Sequence, residues 1–150
     1  MGQTFTCLYN HIIFSTKHRK RLITPDLRPR LYDYMGGIIK HERCKLIAAG
    51  GMPDHVHLVV SLRATTCVAG LLRLVKTNSS GWVHDTFVEH AAFGWQTGYA
   101  AFSVSQSNLE EVVRYVEGQE EHHRKLTFEE EYVAFLKRHH LEYDEAELWD

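Results

Sequence analysis

Asp54-His55-Val56-His57-Leu58-Val59-Val60 reads as a buried β-strand that carries two imidazoles. Side chains alternate faces along a strand, so His55 and His57 point one way while Val56 and Leu58 point the other. Two neighbouring imidazoles on one sheet face can hold a divalent metal if a third ligand arrives from another element. Without that ligand they are two half-exposed histidines on a solvated face. Gly50-Gly51-Met52-Pro53 punctuates the chain just before this strand, and the apolar run Cys44 to Ala49 precedes the glycines, which predicts a hairpin.

Working outward, Tyr9 to Thr16 reads as a strand with Ile12, Ile13 and Phe14 at its centre. Thr24-Pro25-Asp26 supplies a helix start, an N-cap threonine with proline at the first helical position. Leu27, Leu31, Tyr34, Ile38 and Ile39 carry that helix to about His41. Val68, Leu71, Leu72 and Val75 mark a second helix reaching towards His84. Residues 88–98 read as loop, and Tyr99 to Ser105 as a strand. A third helix is expected over Asn108–His122, through Leu109, Val112, Val113 and Val116. A short fourth is expected over Phe128 to Arg138, with Thr127 as its cap. The order β-α-β-β-α-β predicts an α+β fold, a ferredoxin-like split β-α-β antiparallel sheet with helices on one face and a helical extension at the C-terminus. The opposite sheet face is then expected to be free for a site, with His55 and His57 standing on it.

The 150 residues fit one domain, 1–150, with a core of about 5–123 and a helical extension of about 124–150. A hydrophobic fraction of 44% and a charged fraction of 24% are those of a folded globular chain. No apolar run approaches the roughly 18 residues of a membrane span. Met1-Gly2-Gln3-Thr4 has no charged-then-apolar leader, so a cytoplasmic location is expected. Cys7, Cys44 and Cys67 are odd in number and form no C-x-x-C pair, which argues against a disulfide framework and a cysteine zinc site.

A net charge of −2 conceals an asymmetry. Residues 1–45 hold nine Lys/Arg against three Asp/Glu, and residues 106–150 hold five against thirteen. A nucleic-acid partner therefore fits only a surface supplied by the first half. The densest basic run, Lys17-His18-Arg19-Lys20-Arg21, offers phosphate contacts through Lys17, Arg19, Lys20 and Arg21, or else a solvated turn after a strand. Arg73 and Lys76 on the second helix are further candidates for phosphate contact.

Tyr115 and Gln119 lie four apart on the third helix and therefore share a face. That face can present a phenol nucleophile and a carboxamide oxygen together, the latter a hard ligand suited to Mg2+ or Mn2+. Tyr143 and Glu147 share the same spacing, and a tyrosine among valines also serves as a packing residue. Asp54 can orient a neighbouring imidazole or simply turn the hairpin, and the turn is the simpler role. Trp82 and Trp95 read as core residues rather than base-stacking platforms. His122-His123 and His139-His140 are adjacent pairs pointing about 100° apart on a helix, which reads as exposed polar surface. No partner is evident for His84 or His90.

Met52-Pro53-Asp54-His55-Val56-His57 resembles the His-hydrophobe-His motif of the insertion-sequence-200-like, single-tyrosine transposases. Trp95-Gln96-Thr97-Gly98-Tyr99-Ala100-Ala101-Phe102-Ser103-Val104-Ser105 resembles the segment before that family's tyrosine helix. Tyr115-Val116-Glu117-Gly118-Gln119-Glu120-Glu121-His122-His123 resembles the helix itself, and Phe128-Glu129-Glu130-Glu131 its trailing element. The likeness runs over most of residues 5–149, and its C-terminal part is closer to the members associated with REP palindromes, or to their uncharacterised relatives, than to the shortest insertion-sequence enzymes.

The resemblance implies a metal-dependent nickase and strand transferase acting on hairpins in single-stranded DNA. His55, His57 and Gln119 would hold Mg2+ or Mn2+, and Tyr115 would attack phosphorus to form a 5′-phosphotyrosine link. A phenol ionises near pH 10, and a nearby cation would favour the phenolate. The resemblance also brings in a homodimer, because members that transpose form dimers, some with the tyrosine helix serving the partner's metal site, while palindrome-associated ones can act as monomers. Two other readings remain open: a non-mobilising nucleic-acid-binding protein of the same fold, and a metal-dependent hydrolase of unrelated substrate. The hydrolase would not need a tyrosine on the element that delivers Gln119.

Overall fold

A computed structural model describes residues 2–150; Met1, part of the stretch read for a leader, lies outside them. Four strands form one antiparallel sheet: β1 (Tyr9–Ser15), β2 (Lys45–Met52), β3 (His55–Ser61) and β4 (Ala100–Val104), in the spatial order β2-β3-β1-β4. β3 inserts between β1 and β2, which is the split β-α-β arrangement expected from the sequence. Helices α1 (Leu27–His41) and α2 (Val68–Thr86) supply the two crossovers.

The alternation of β1 and β3 sorts residues onto two faces. Ile12, Phe14, Val56, Leu58 and Val60 face α1 and α2, and with Leu31, Met35, Leu72 and Val75 they make the main core. His11, Ile13, His55, His57 and Val59 face the other way, because residues paired across a ladder share a face: Ile13 pairs with His57, and His11 with Val59. That second face is not free. It is covered by α3 (Leu109–Glu117), the short α4 (Gln119–His122) and α5 (Phe128–Arg138), the last of them the helix of the expected C-terminal extension. β3 is consequently buried on both sides, and His55 and His57 have no exposed surface at all.

Two boundaries differ from the sequence reading for local reasons. β2 continues through both glycines, so the hairpin turn is Pro53-Asp54, with Met52 opposite His55. Gly50 lies in the strand because α3 comes down on it: a Cβ there would stand 1.9 Å from the Val116 carbonyl oxygen. Gly51 is similarly crowded, its Cβ position lying 2.2 Å from the His55 carbonyl oxygen. The expected helix 108–122 is interrupted at Gly118, whose N–H still bonds the Arg114 carbonyl at 3.0 Å while its own ψ of 24° leaves the helical range. Glycine is the poorest helix former after proline, which makes it the point of interruption.

Other expectations match closely. The Thr24 hydroxyl accepts the Leu27 N–H at 3.3 Å and its carbonyl accepts the Arg28 N–H at 2.9 Å, so it closes the first turn of α1. Thr127 caps α5 in a reciprocal capping box with Glu130. Phe128, Tyr132 and Leu136 of α5 pack with Ile13, Ala100 and Phe102, a second apolar cluster on the histidine face. Trp82 and Trp95 pack against the main core, and Trp95 pairs with Thr16 beyond the end of β1. Cys7, Cys44 and Cys67 are all free thiols. No helix among the described residues is long and apolar enough to cross a membrane.

Gly50→Ala places a methyl group inside the Val116 backbone. It should lower stability by about 2 kcal/mol or more, the upper part of the overpacking range, in urea denaturation followed by circular dichroism.

Candidate active site

Six side chains converge between β3 and the helices above it. Glu131, 1% exposed, projects from the first turn of α5. Its Oε1 lies 3.1 Å from His57 Nε2, 3.1 Å from His123 Nε2 and 3.5 Å from His55 Nε2. Gln119, also 1% exposed, directs Oε1 to His55 Nε2 at 3.2 Å and His123 Nε2 at 3.0 Å. Its Nε2 donates to the Tyr115 carbonyl at 3.3 Å, which fixes the amide with the oxygen inward. Tyr115 donates its hydroxyl to Glu131 Oε2. One carboxylate thus touches the phenol with one oxygen and the three imidazoles with the other.

A further layer orients these rings. His55 Nδ1 bonds Asp54 Oδ1 at 2.8 Å, so Asp54 both turns the hairpin and orients the imidazole. His57 Nδ1 lies 2.7 Å from Nε2 of His11, a buried residue on β1. Phe128 stacks on the His55 ring, with centroids 4.2 Å apart. Since Asp54 can only accept, His55 donates from Nδ1, and its Nε2 then faces two oxygens, Gln119 Oε1 and Glu131 Oε1. A neutral ring would set lone pair against lone pair, so the position requires either a proton on Nε2 or a cation.

Burial opposes charge on His55, but its hydrogen bonds to Asp54 and Glu131 prevail and raise its pKa. Burial dominates at His57 and His11, lowering them to about 4 and about 3. For Glu131 burial opposes ionisation, yet the bonds from His123, His55 and His57 hold the carboxyl well below the usual range. Tyr115 is held well above 10, by burial first and by Glu131 second. Both effects favour the protonated phenol, opposite to the shift a neighbouring cation would give.

The structure brings His55, His57, Tyr115 and Gln119 together, and the interruption at Gly118 does not separate the last two. It does not bring all the basic candidates to them. Lys17, Lys20, Arg21 and Arg73 are exposed. Arg19 pairs with Glu129 on α5 at 2.7 Å and covers the Trp149 ring at 4.8 Å. Lys76 donates to the carbonyls of Gln96, Thr97 and Gly98 at 3.0, 3.3 and 2.6 Å, so its ammonium secures the loop before β4.

Three residues of the cluster escape a sequence reading. His123, expected on an exposed pair, has a side chain only 6% exposed and faces the cluster, whereas His122 is exposed and lies tilted against the Tyr115 ring. The helical spacing Gln119–His123 is the same four-residue step that joins Tyr115 to Gln119, and it was the available signal. His11 follows Asn10 at the polar start of β1 and carries no motif, and Glu131 is one of three consecutive glutamates. His139 bonds the Phe135 carbonyl and stacks on Phe102, and His84 bonds the Phe93 carbonyl at 2.7 Å.

The model of the IS200-like transposase family matches residues 4–119. The chain belongs to the IS200-like transposase family. Among curated relatives of this IS200-like transposase, the ISDra2 transposase TnpA of Deinococcus radiodurans is 23% identical over 114 residues, covering 73% of this chain and 81% of that protein. A solved structure of a candidate transposase from Deinococcus radiodurans R1 superposes with a TM-score of 0.62 at 22% identity, over 79% of this chain and 96% of that one. A REP-associated tyrosine transposase bound to a REP hairpin superposes with a TM-score of 0.53 at 14% identity, over 77% and 70%. At these identities the solved structures speak for the fold. His123 and Glu131 lie beyond the stretch that the family model matches.

In the cation-free chain, the phenol of Tyr115 should remain un-ionised at pH 10, read as the ultraviolet titration difference between the wild type and Tyr115→Phe. Glu131→Gln removes the carboxylate that opposes the phenolate, so the Tyr115 titration should move down towards 10.

Proposed function

We propose that this IS200-like transposase nicks and rejoins single-stranded DNA beside a hairpin, with Tyr115 as nucleophile and a divalent ion, Mg2+ or Mn2+, held by His55, His57 and Gln119. The observation that carries the reading is that the Tyr115 hydroxyl and the two motif imidazoles rest on opposite oxygens of one carboxylate, within a single protomer. The donor set fits an ion: inward Nε2 atoms and an inward amide oxygen, with Asp54 and His11 behind the rings in the positions that ligand-orienting groups take.

A divalent ion held there would supply Lewis-acid polarisation of the scissile phosphate and charge for the departing 3′-oxygen. The remaining work falls to the chain. Tyr115 Oη attacks phosphorus and gives up its proton; the P–O bond to the 3′-oxygen breaks, that oxygen departs as the 3′-hydroxyl, and a 5′-phosphotyrosine link remains. Attack by another 3′-hydroxyl on that link restores Tyr115 and joins the strands. Helices α3 and α4 position the nucleophile, because Gly50 lets them sit close to β2. A cleft of about 690 Å³ between α3 and α5, lined by Tyr115, Glu131, Phe135 and Arg138, gives the strand a path to the hydroxyl. The exposed cations Lys17, Lys20, Arg21 and Arg73 are assigned to phosphates, with Arg19 joining them if it leaves Glu129. Such a protein works in the cytoplasm on DNA, and Tyr115 meets the cluster of its own chain.

Incubation with single-stranded DNA from the flanks of its own gene, with Mg2+ or Mn2+, should yield a denaturation-resistant protein–DNA adduct. Tyr115→Phe should abolish the adduct while hairpin affinity stays near wild type, and His57→Ala should remove ion-dependent cleavage. An adduct that persists in Tyr115→Phe would move the nucleophile to another residue. Lys20→Ala or Arg21→Ala should weaken binding across sequences, and each should reduce the slope of log affinity against log salt by about 1, the share of one neutralised phosphate.

A further inference from the structure

We propose that His123 and Glu131 join His55 and His57 as ligands of the ion, and that this nitrogen-rich set selects Mn2+ and the later first-row divalent ions over Mg2+. The proposal rests on the reading of this cluster as an ion centre and deepens it by assigning two more ligands and the class of metal. One ligand atom from each of the four residues lies within 4.8 Å of the others, and three of the four are fully buried while His123 is nearly so.

Each of the added residues is held in place by something other than the cluster. His123 follows Gln119 by one helical turn, its N–H bonding the Gln119 carbonyl at 3.0 Å, so the turn that presents the amide presents the imidazole as well. Glu131 is set by α5, which is fixed at its start by the Thr127 capping box and along its length by Phe128, Tyr132 and Leu136 in the second apolar cluster. Phe128 and Glu131 lie three apart and so share a face, one stacking on the His55 ring and the other reaching its Nε2.

The choice of ion follows from the donors. Mg2+ takes oxygen ligands in near-ideal octahedra and keeps several waters, since it dehydrates reluctantly. Three imidazoles, one carboxylate oxygen and the neighbouring Gln119 amide leave little room for a water shell in a site of this burial. Imidazole suits Mn2+ less than its successors in the first row, but every one of them accepts nitrogen more readily than Mg2+ does.

The test uses the full chain, stripped by chelator and without DNA, so that it reads the ion centre independently of strand cleavage. Calorimetric titration should give Mn2+ an affinity about tenfold or more above that of Mg2+. Co2+ should produce the intense visible bands of a low-coordinate nitrogen site rather than the weak ones of an octahedral oxygen site. Glu131→Gln and His123→Asn should each lower Mn2+ affinity at least as much as loss of an outer-shell partner does, about 10–100-fold, and should shift the Co2+ bands. Circular dichroism checks that each variant folds, and the wild-type comparison of Mn2+ with Mg2+ needs no variant. Equal affinity for Mn2+ and Mg2+, wild-type Mn2+ affinity in both folded variants, or no ion bound at all would overturn the proposal. Adduct formation by Tyr115 in the presence of such a result would leave the strand-transfer reading standing and remove only this ligand set.

Discussion

A carboxylate sealed among imidazoles is the constraint on which this molecule depends. Placing Glu131 away from water costs several kcal/mol unless charge or strong hydrogen bonding compensates it. The compensation comes from three separate parts of the chain: His55 and His57 on β3, His123 after α4, and Tyr115 on α3. In sequence His57 lies 74 residues from Glu131, and Tyr115 lies 16. The carboxylate therefore acts as a fastener between the sheet and the two helical segments above it, and removing its partners one at a time leaves a buried charge behind rather than a neutral gap.

The sheet makes this arrangement possible by being used on both faces. α1 and α2 take the apolar side of β1 and β3, where Ile12, Phe14, Val56 and Leu58 bury a conventional core. The opposite side mixes apolar packing at its ends with polar groups at its centre: Ala48, Val59 and Val116 at one flank, Ile13, Phe102 and Phe128 at the other, and the histidines between. The apolar flanks hold the helices, and the polar middle is buried because they do. Burial strengthens each electrostatic contact there and also lowers the pKa of His57 and His11.

Much of this was legible in residue spacing. Two-residue periodicity put His55 and His57 on one face, four-residue periodicity joined Tyr115 to Gln119, and the order of elements predicted the sheet. The interruption at Gly118 is hidden in the sequence because its flanks carry an unbroken helical pattern; one ψ angle changes, and the spacing survives. His123 is hidden because adjacent histidines on a helix cannot share a face, which is true but does not prevent one of them from pointing inward. Glu131 hides among neighbours with a local purpose. Glu130 completes the capping box, and a run of glutamates in a first helical turn is favourable through the helix dipole, so nothing nearby asks for a longer-range role. The coverage of the second sheet face is a tertiary fact, set by where α5 docks.

The capped first turn of α5 has a bearing on how far the enzyme extends along its own chain. Thr127, Phe128 and Glu131 lie downstream of the last residue that the family model matches, yet the wall of the histidine chamber is made from them. A protein trimmed to residues 4–119 would keep every strand and the whole histidine motif. It would also open those rings to water, so the edge of the matched stretch falls inside the histidine chamber rather than around it.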